Sequence, residues 1–253
     1  MRDAVGVIPA RWGSSRFPGK ILTPICGKPL LEWVVMRARE ARSLKELLVA
    51  TDDMQIEAFA KSIDVPVVMT RDDHPSGTDR IAEAVAGSSS RVVVNIQGDE
   101  PLVDPRLIDQ VASVLQDHDW WQMSTAAVPM TEEEIDEPSA VKVVFAADQT
   151  ALYFSRAPIP FMRDPDTQVS SRNPVYWRHV GLYGYRRTFL EKLVKAPPSD
   201  LEEVEKLEQL RALHLGAKIK VITAHQTGPG VDTPEDVPRA EQALIKAGLA
   251  EET

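Results

Sequence analysis

The uncharged segment Ala4-Val5-Gly6-Val7-Ile8-Pro9-Ala10 runs directly into Arg11-Trp12-Gly13-Ser14-Ser15-Arg16-Phe17-Pro18-Gly19-Lys20, and this junction sets the architecture. Seven apolar or small residues are too few for a core helix and suit a strand buried on both faces. The glycines, hydroxyls and cations that follow are loop chemistry. The same alternation recurs downstream. Leu30, Leu31, Val34, Val35 and Ala38 fall at helical spacing, 47–50 is an apolar run, and 56–63 is helical again. Residues 65–69 read as a strand, 80–86 as a helix and 92–96 as a strand. Continuous apolar strands separated by helices predict a doubly wound α/β fold, its mostly parallel sheet covered on both faces.

Beyond residue 139 the pattern changes. Residues 140–147, 151–155 and 177–185 are rich in β-branched and aromatic side chains and follow one another closely, which predicts antiparallel or mixed additions to the sheet. Ser199 and Glu202 form a capping box for a helix reaching about Leu215, and Thr233, Pro234 and Asp236 mark another helix start. The polar stretch 163–173 reads as a mobile loop.

The chain has 253 residues, 43% of them hydrophobic, and a formal net charge of −9. Such a surface repels nucleic acid, so an anionic ligand needs a local cluster of cations. Cys26 is the single cysteine, which excludes an intrachain disulfide and a CxxC metal site and favours a reducing compartment. The first residues do not resemble a secretory signal, and no stretch approaches 18 uncharged apolar residues, so no membrane insertion is expected.

Ligands of open α/β sheets bind beyond the carboxyl ends of the strands. After the first strand, Arg11, Arg16 and Lys20 stand among glycines whose backbone N–H groups can approach a phosphate. The spacing fits neither a Walker loop nor GxGxxG, and the plain alternative is a basic surface loop. After the strand at 92–96, Gln97-Gly98-Asp99-Glu100 offers a carboxylate to a hard cation, or is simply a turn. Asp232, ahead of the helix start, has the same two readings: cation ligand, or helix N-terminal charge. Brought within about 4 Å, the two aspartates would repel by about 4 kcal/mol at an effective dielectric of about 20, which bound Mg²⁺ would reverse. In 71–80, Ser76, Thr78 and Arg80 can donate to hydroxyls or phosphates, or can merely start a helix. Strand alternation places Arg156 beside Phe154, and His179 on one face with Tyr183, either as a core histidine or as a ligand contact. On the helix from Asp200, Glu208 and Arg211 fall inside the apolar arc and suggest an i,i+3 ion pair, while Gln209 projects to the opposite side.

The ordered set IPARWGSSRFPGK (8–20), GKPL (27–30), ATDD (50–53), MTRDDHPSGTDR (69–80), NIQGDEP (95–101), AVKVV (140–144), ALYFSRAPIP (151–160), RHVGLYGYR (178–186), LEQLR (207–211) and GVDTPED (230–236) resembles the 3-deoxy-manno-octulosonate (Kdo) cytidylyltransferases, or CMP-Kdo synthetases, over nearly the whole chain. The resemblance implies a nucleotide-diphospho-sugar transferase-like fold. It also implies one domain over 1–253: a nucleotide-binding part at 1–130, a sugar-binding and dimerisation part at 131–225, and a return to the first part at 226–253. The implied reaction is magnesium-dependent, CTP plus Kdo giving CMP-Kdo and pyrophosphate, in a cytoplasmic homodimer that supplies lipopolysaccharide synthesis. By the same resemblance Arg11, Arg16 and Lys20 bind the triphosphate, Ser76, Gly77 and Arg80 line the nucleotide side, and Asp99 and Asp232 ligate magnesium. Gln97, Arg156, His179, Tyr183, Glu208 and Gln209 contact the sugar acid, with Gln97 also reaching the nucleotide. We add that Arg156 and His179 would pair with the sugar carboxylate. The alternatives are the same chemistry on 8-amino-Kdo or another nonulosonic acid, and a catalytically silent nucleotide-binding homologue.

Overall fold

In the computed structural model, which describes residues 3–13, 16–164 and 174–251, strand β1 (Ala4–Ala10) is buried along nearly its whole length. It lies between two parallel neighbours, β2 (Leu44–Thr51) and β4 (Val92–Asn95), and β3 (Val67–Met69) extends the parallel sheet beyond β2. Helices α1 (Leu30–Arg39), α2 (Met54–Ser62) and α3 (Gly77–Ala84) connect these strands. Asp53 caps α2 by accepting from the amides of Gln55 and Ile56, so the second aspartate of ATDD is used locally.

Two elements lie outside the segments read from the sequence: helix α4 (Pro105–Asp117), although Asp104 at its N-cap and Pro105 after it mark a helix start, and strand β5 (Met123–Pro129). Leu107, Ile108, Val111, Ala112 and Leu115 form the buried stripe of α4. After the short α5 (Glu132–Ile135) come β6 (Lys142–Phe145), β7 (Ala151–Ser155) and the long β8 (Trp177–Arg186). The antiparallel expectation holds for all three, but β8 is no peripheral addition. It inserts between β4 and β5, antiparallel to both, and β6 joins its outer end with β7 alongside. Helices α6 (Arg187–Lys195), α7 (Asp200–Glu205) and α8 (Gln209–His214) precede β9 (Ile219–Thr223), which pairs parallel with β5. The sheet order is therefore β9-β5-β8-β4-β1-β2-β3. The last helix, α9 (Val237–Lys246), packs Ala240 and Leu244 against Ile25, Leu30 and Trp33, which returns the end of the chain to the first βα unit.

The helix expected from Ser199 to about Leu215 is broken. Its capping box forms, but Lys206 adopts a left-handed conformation (φ 53°) that ends α7, and α8 starts afresh at Gln209. Val204, placed on the apolar stripe by the wheel, is 82% exposed, whereas Gln209, placed outside, is buried at 4%. Arg211 pairs with Glu202 across the break, at 2.7 Å from its Nε, rather than with Glu208. The loop expected at 163–173 falls largely outside the described residues.

β1 has β2 on one side and β4 on the other, so the loops after β1 and β4 diverge at a topological switch point. The site lies there.

Candidate active site

Backbone constraints bring the strand-end loops together. Gly19 takes a left-handed conformation (φ 70°), and its amide donates to the carbonyl of Trp12. A turn at Lys20–Leu22 then buries Ile21 and carries Lys20 back across the mouth of the sheet. On the β4 side, a Cβ at Gly98 would sit 2.6 Å from Ile21 Cδ1 and 3.3 Å from the Pro9 carbonyl, so any larger residue would have to push Ile21 aside and crowd the β1 backbone. Asp99 is thereby set facing Lys20.

Lys20 Nζ donates to Asp99 Oδ2 at 2.8 Å, to Asp232 Oδ1 at 3.1 Å and to the Val231 carbonyl at 3.1 Å. Burial opposes the charged ammonium, but the two aspartates outweigh it and the Lys20 pKa is raised. The two aspartates do converge, and the cation between them here is Lys20. Asp232 is fixed by the capping box that follows it, its amide donating to Asp236 Oδ2 at 3.0 Å. Arg16 Nη2 lies 3.2 Å from Asp232 Oδ1 in an exposed pair of little energetic weight.

These groups line a bay of about 280 Å³ that also includes Arg11, Ser76, Gly77, Arg80, Gln97 and His74. Ser76 caps α3 and donates to Asp79 Oδ2 at 2.6 Å. Arg80 is buried and ion-paired to Asp52 at 2.8 Å, so the first aspartate of ATDD holds its guanidinium in place. His74 is a lining residue that its local sequence does not mark. Its Nε2 meets Glu83 of α3, a partner nine residues away that sequence spacing does not reveal.

Magnesium prefers octahedral oxygen donors and is commonly held by one or two carboxylates together with waters and substrate phosphates. Asp99 and Asp232 line one bay with Arg11, Arg16 and Lys20, so their donor chemistry fits a magnesium whose remaining ligands come from water or from an anionic ligand. Among the described residues, no group of three or more His, Cys, Asp or Glu forms a self-sufficient metal site.

Glu100, next to Asp99, has its pKa pushed up to about 7 by burial and by the charges of Asp99 and Asp232, against an opposing pull from Arg178. A carboxyl with a raised native pKa makes the folded state bind more protons than the unfolded state between pH 4.5 and about 7, so stability falls as pH rises through this window. We expect Glu100→Gln to stabilise the ligand-free protein by roughly 2–3 kcal/mol at pH 8 and by much less at pH 5. Equal Tm changes at the two pH values would show that Glu100 is ionised throughout.

A second bay of about 430 Å³ shares Pro9, Gly77 and Gln97 with the first, so the two form one cleft. Gln97, His179, Tyr183, Glu208 and Gln209 all line it. The break after α7 produces this arrangement by turning Glu208 and Gln209 toward the sheet. Tyr183 donates its hydroxyl to Gln209 Oε1 at 3.3 Å, while Gln209 Nε2 is buried without a partner among the described residues. Burial raises the Glu208 pKa, and hydrogen bonds from Thr78 and Ser76 offset part of that.

Two assignments change. Arg156 does not line the bay: its guanidinium donates to the carbonyls of Glu205 (2.8 Å), Pro138 (3.0 Å) and Lys206 (3.5 Å), behind the wall. His179 does line it, but is not a cation. Burial, with Arg178 next to it, lowers its pKa to about 3. Thr125 Oγ1 lies 2.9 Å from the Leu182 carbonyl, to which it donates. The hydroxyl has one proton, so it accepts from His179 Nε2–H at 2.9 Å and leaves Nδ1 as an acceptor. The positive groups lining this bay are Arg178 and Lys206, neither of which is among the site residues expected from the sequence. Arg178 is held by Glu134 (3.1 Å) and Thr227 (3.0 Å).

The chain matches the family model described as cytidylyltransferase over residues 5–219. It is 48% identical over 245 residues to the 3-deoxy-manno-octulosonate cytidylyltransferase of Bdellovibrio bacteriovorus, covering 97% of this chain and 99% of that one. It is also 48% identical over 243 residues to the 8-amino-3,8-dideoxy-manno-octulosonate cytidylyltransferase of Shewanella pealeana, covering 94% and 97%. Among solved structures, CMP:2-keto-3-deoxy-manno-octonic acid synthetase complexed with CTP superposes with a TM-score of 0.90 at 40% identity, over 96% of this chain and 99% of that one.

Proposed function

The chain belongs to the cytidylyltransferase family, and from that membership we propose the following reading of its cleft. The protein transfers CMP from CTP to Kdo, releasing pyrophosphate and forming CMP-Kdo. The observation that carries the assignment of parts is the cleft itself: a cationic bay with two aspartates opens into a second, mixed-polarity bay, with Gln97 and Gly77 on the boundary.

In this reading CTP occupies the first bay. Arg11, Arg16 and Lys20 offset the triphosphate charge and stabilise the negative charge that accumulates on departing pyrophosphate. Ser76 and Gly77 offer the start of α3 to the nucleotide, and Arg80 lends a fixed positive charge. The sugar acid occupies the second bay. Its anomeric hydroxyl attacks the α-phosphorus and gives up its proton to water, the bond to the bridging oxygen breaks, and pyrophosphate leaves with that oxygen, so no covalent enzyme intermediate is needed. Asp99 and Asp232 would hold magnesium, which supplies polarisation of the α-phosphate and orientation of both substrates. Glu208, Gln209 and Tyr183 orient sugar hydroxyls, His179 accepts from one through Nδ1, and Arg178 and Lys206 attract the carboxylate.

We read the chain as one catalytic domain acting as a cytoplasmic homodimer that provides activated Kdo for lipopolysaccharide. No helix among the described residues is long and apolar enough to cross a membrane. Relatives of equal identity carry the 8-amino name, so the decisive assay compares pyrophosphate release from CTP with Kdo, 8-amino-Kdo and sialic acid. Release with Kdo above the other two supports the assignment. Preference for 8-amino-Kdo would transfer the same mechanism to the amino sugar, and no release with any acid would favour a silent homologue.

His179 gives a separate prediction. His179→Ala should raise the KM for the sugar acid about tenfold and that for CTP less than twofold, since one neutral hydrogen bond is lost on one side of the cleft. The imidazole of the parent protein should show no titration between pH 5 and 8 by NMR, because its pKa lies at about 3. A pKa near 6.5 would restore a cationic role.

A further inference from the structure

Lys142, in AVKVV, has no part in the chemistry above, yet its side chain is wholly buried (0% exposed). The partners the structure gives its Nζ are main-chain carbonyls, those of Glu137 at 2.7 Å and Arg156 at 3.1 Å. Burial lowers its pKa from the usual lysine range, opposed by Glu137 and Asp136. A linear apolar chain such as methionine would fill the space without desolvating a charge. What methionine lacks is the ability to hold two carbonyls.

Those carbonyls belong to a wider tie. Arg156, whose carbonyl Lys142 binds, donates to the carbonyls of Pro138, Glu205 and Lys206. The Glu205 carboxylate in turn accepts from Ser155 Oγ at 2.6 Å and from the Arg156 amide at 2.9 Å. The linked segments, 137–141 and 205–209, both contribute walls to the second bay, through Ser139 and Val141 and through Lys206 and Glu208. Much of both walls is irregular, one being a turn-rich run before β6 and the other the left-handed corner at Lys206. Regular hydrogen bonding therefore does little to fix their separation. We propose that Lys142 is a positioning residue for the sugar-acid bay: acting through Arg156 and Glu205, its buried ammonium sets the distance between the two walls and so the aim of Glu208 and Gln209. This rests on the reading that the second bay takes the sugar acid.

Lys142→Met should raise the KM for Kdo about 10- to 100-fold, the range in which small misplacements of binding groups act, while the Kd for CTP alone by calorimetry stays within twofold. Glu205→Gln weakens the same tie at a half-buried position and should raise the Kdo KM severalfold, again without changing CTP binding. It decides the matter if Lys142→Met does not fold. In hydrogen exchange, amides of 137–141 and 205–209 should open at least about tenfold faster in Lys142→Met, with β1 and β4 unchanged. The proposal is overturned by a Kdo KM within twofold of the parent in Glu205→Gln or in folded Lys142→Met, or by a CTP Kd that moves by the same factor. If the parent protein releases no pyrophosphate with Kdo, the assignment of the bay fails instead, and unchanged exchange in the two segments would still overturn the tie.

Discussion

Replacing Lys20 by methionine should lower kcat/KM for CTP by about 10³ and make the ligand-free protein bind Mg²⁺ more tightly, two effects of opposite sign from one substitution. The loss follows from geometry. Lys20 is a half-buried ammonium on the first bay, where we place the triphosphate, and a single well-placed donor to developing charge is worth about 10²–10³ in rate. Lys20 also holds Asp99, Asp232 and the Val231 carbonyl at one point, so its removal loosens the two loops that carry them as well as removing a charge. The gain in metal affinity follows from electrostatics: without the ammonium, two carboxylates confront each other with Arg16 as an exposed partner to one of them. Initial rates of pyrophosphate release and Mg²⁺-dependent shifts in Tm measure the two effects. A kcat/KM within tenfold of the parent would remove Lys20 from the reaction. An unchanged Mg²⁺ response would mean that the metal binds away from Asp99 and Asp232.

What was legible in the sequence was local. The apolar run 4–10 ahead of its cationic loop, Gly98-Asp99 after a buried strand, and the Thr233–Asp236 capping box each hold their signal within fewer than twenty residues, and the first strand, the strand before Gly98 and the capping box form as expected. The part that was not legible depends on long-range pairing or on a backbone conformation without a glycine to announce it. Lys206 enters the left-handed region as a lysine, so an unbroken helix was the natural reading of 199–215, and the wheel then misplaced Gln209. The insertion of β8 between β4 and β5 depends on strand partners separated by about 50 to 90 residues. Arg156 carries the right charge in a plausible place, and only the position of the Pro138 and Glu205 carbonyls shows that it braces a wall. His179 is neutral because burial removes water and Arg178 stands beside it, while its hydrogen bond to Thr125, 54 residues away, fixes only the tautomer.

Asp99→Asn tests the metal role with the least disturbance to shape. An asparagine oxygen can still accept from Lys20 Nζ, and the strand-end turn at Gly98 is untouched, so the fold and the position of Lys20 should survive, with Tm within a few degrees of the parent. What the substitution removes is a negative charge, and with it the stronger of the two kinds of hold an oxygen has on a hard cation. We therefore expect kcat to fall by at least about 10², CTP affinity in the absence of magnesium to change little, and the Mg²⁺ concentration for half-maximal rate to rise. The combination matters more than any one number. A protein in which Asp99 only anchors Lys20 would lose CTP affinity and kcat together, with no change in magnesium requirement, because the ammonium would drift from the triphosphate. A metal ligand gives the reverse pattern, an altered magnesium requirement with CTP affinity preserved. If the variant turns over within tenfold of the parent at ordinary magnesium, Asp99 is neither of these.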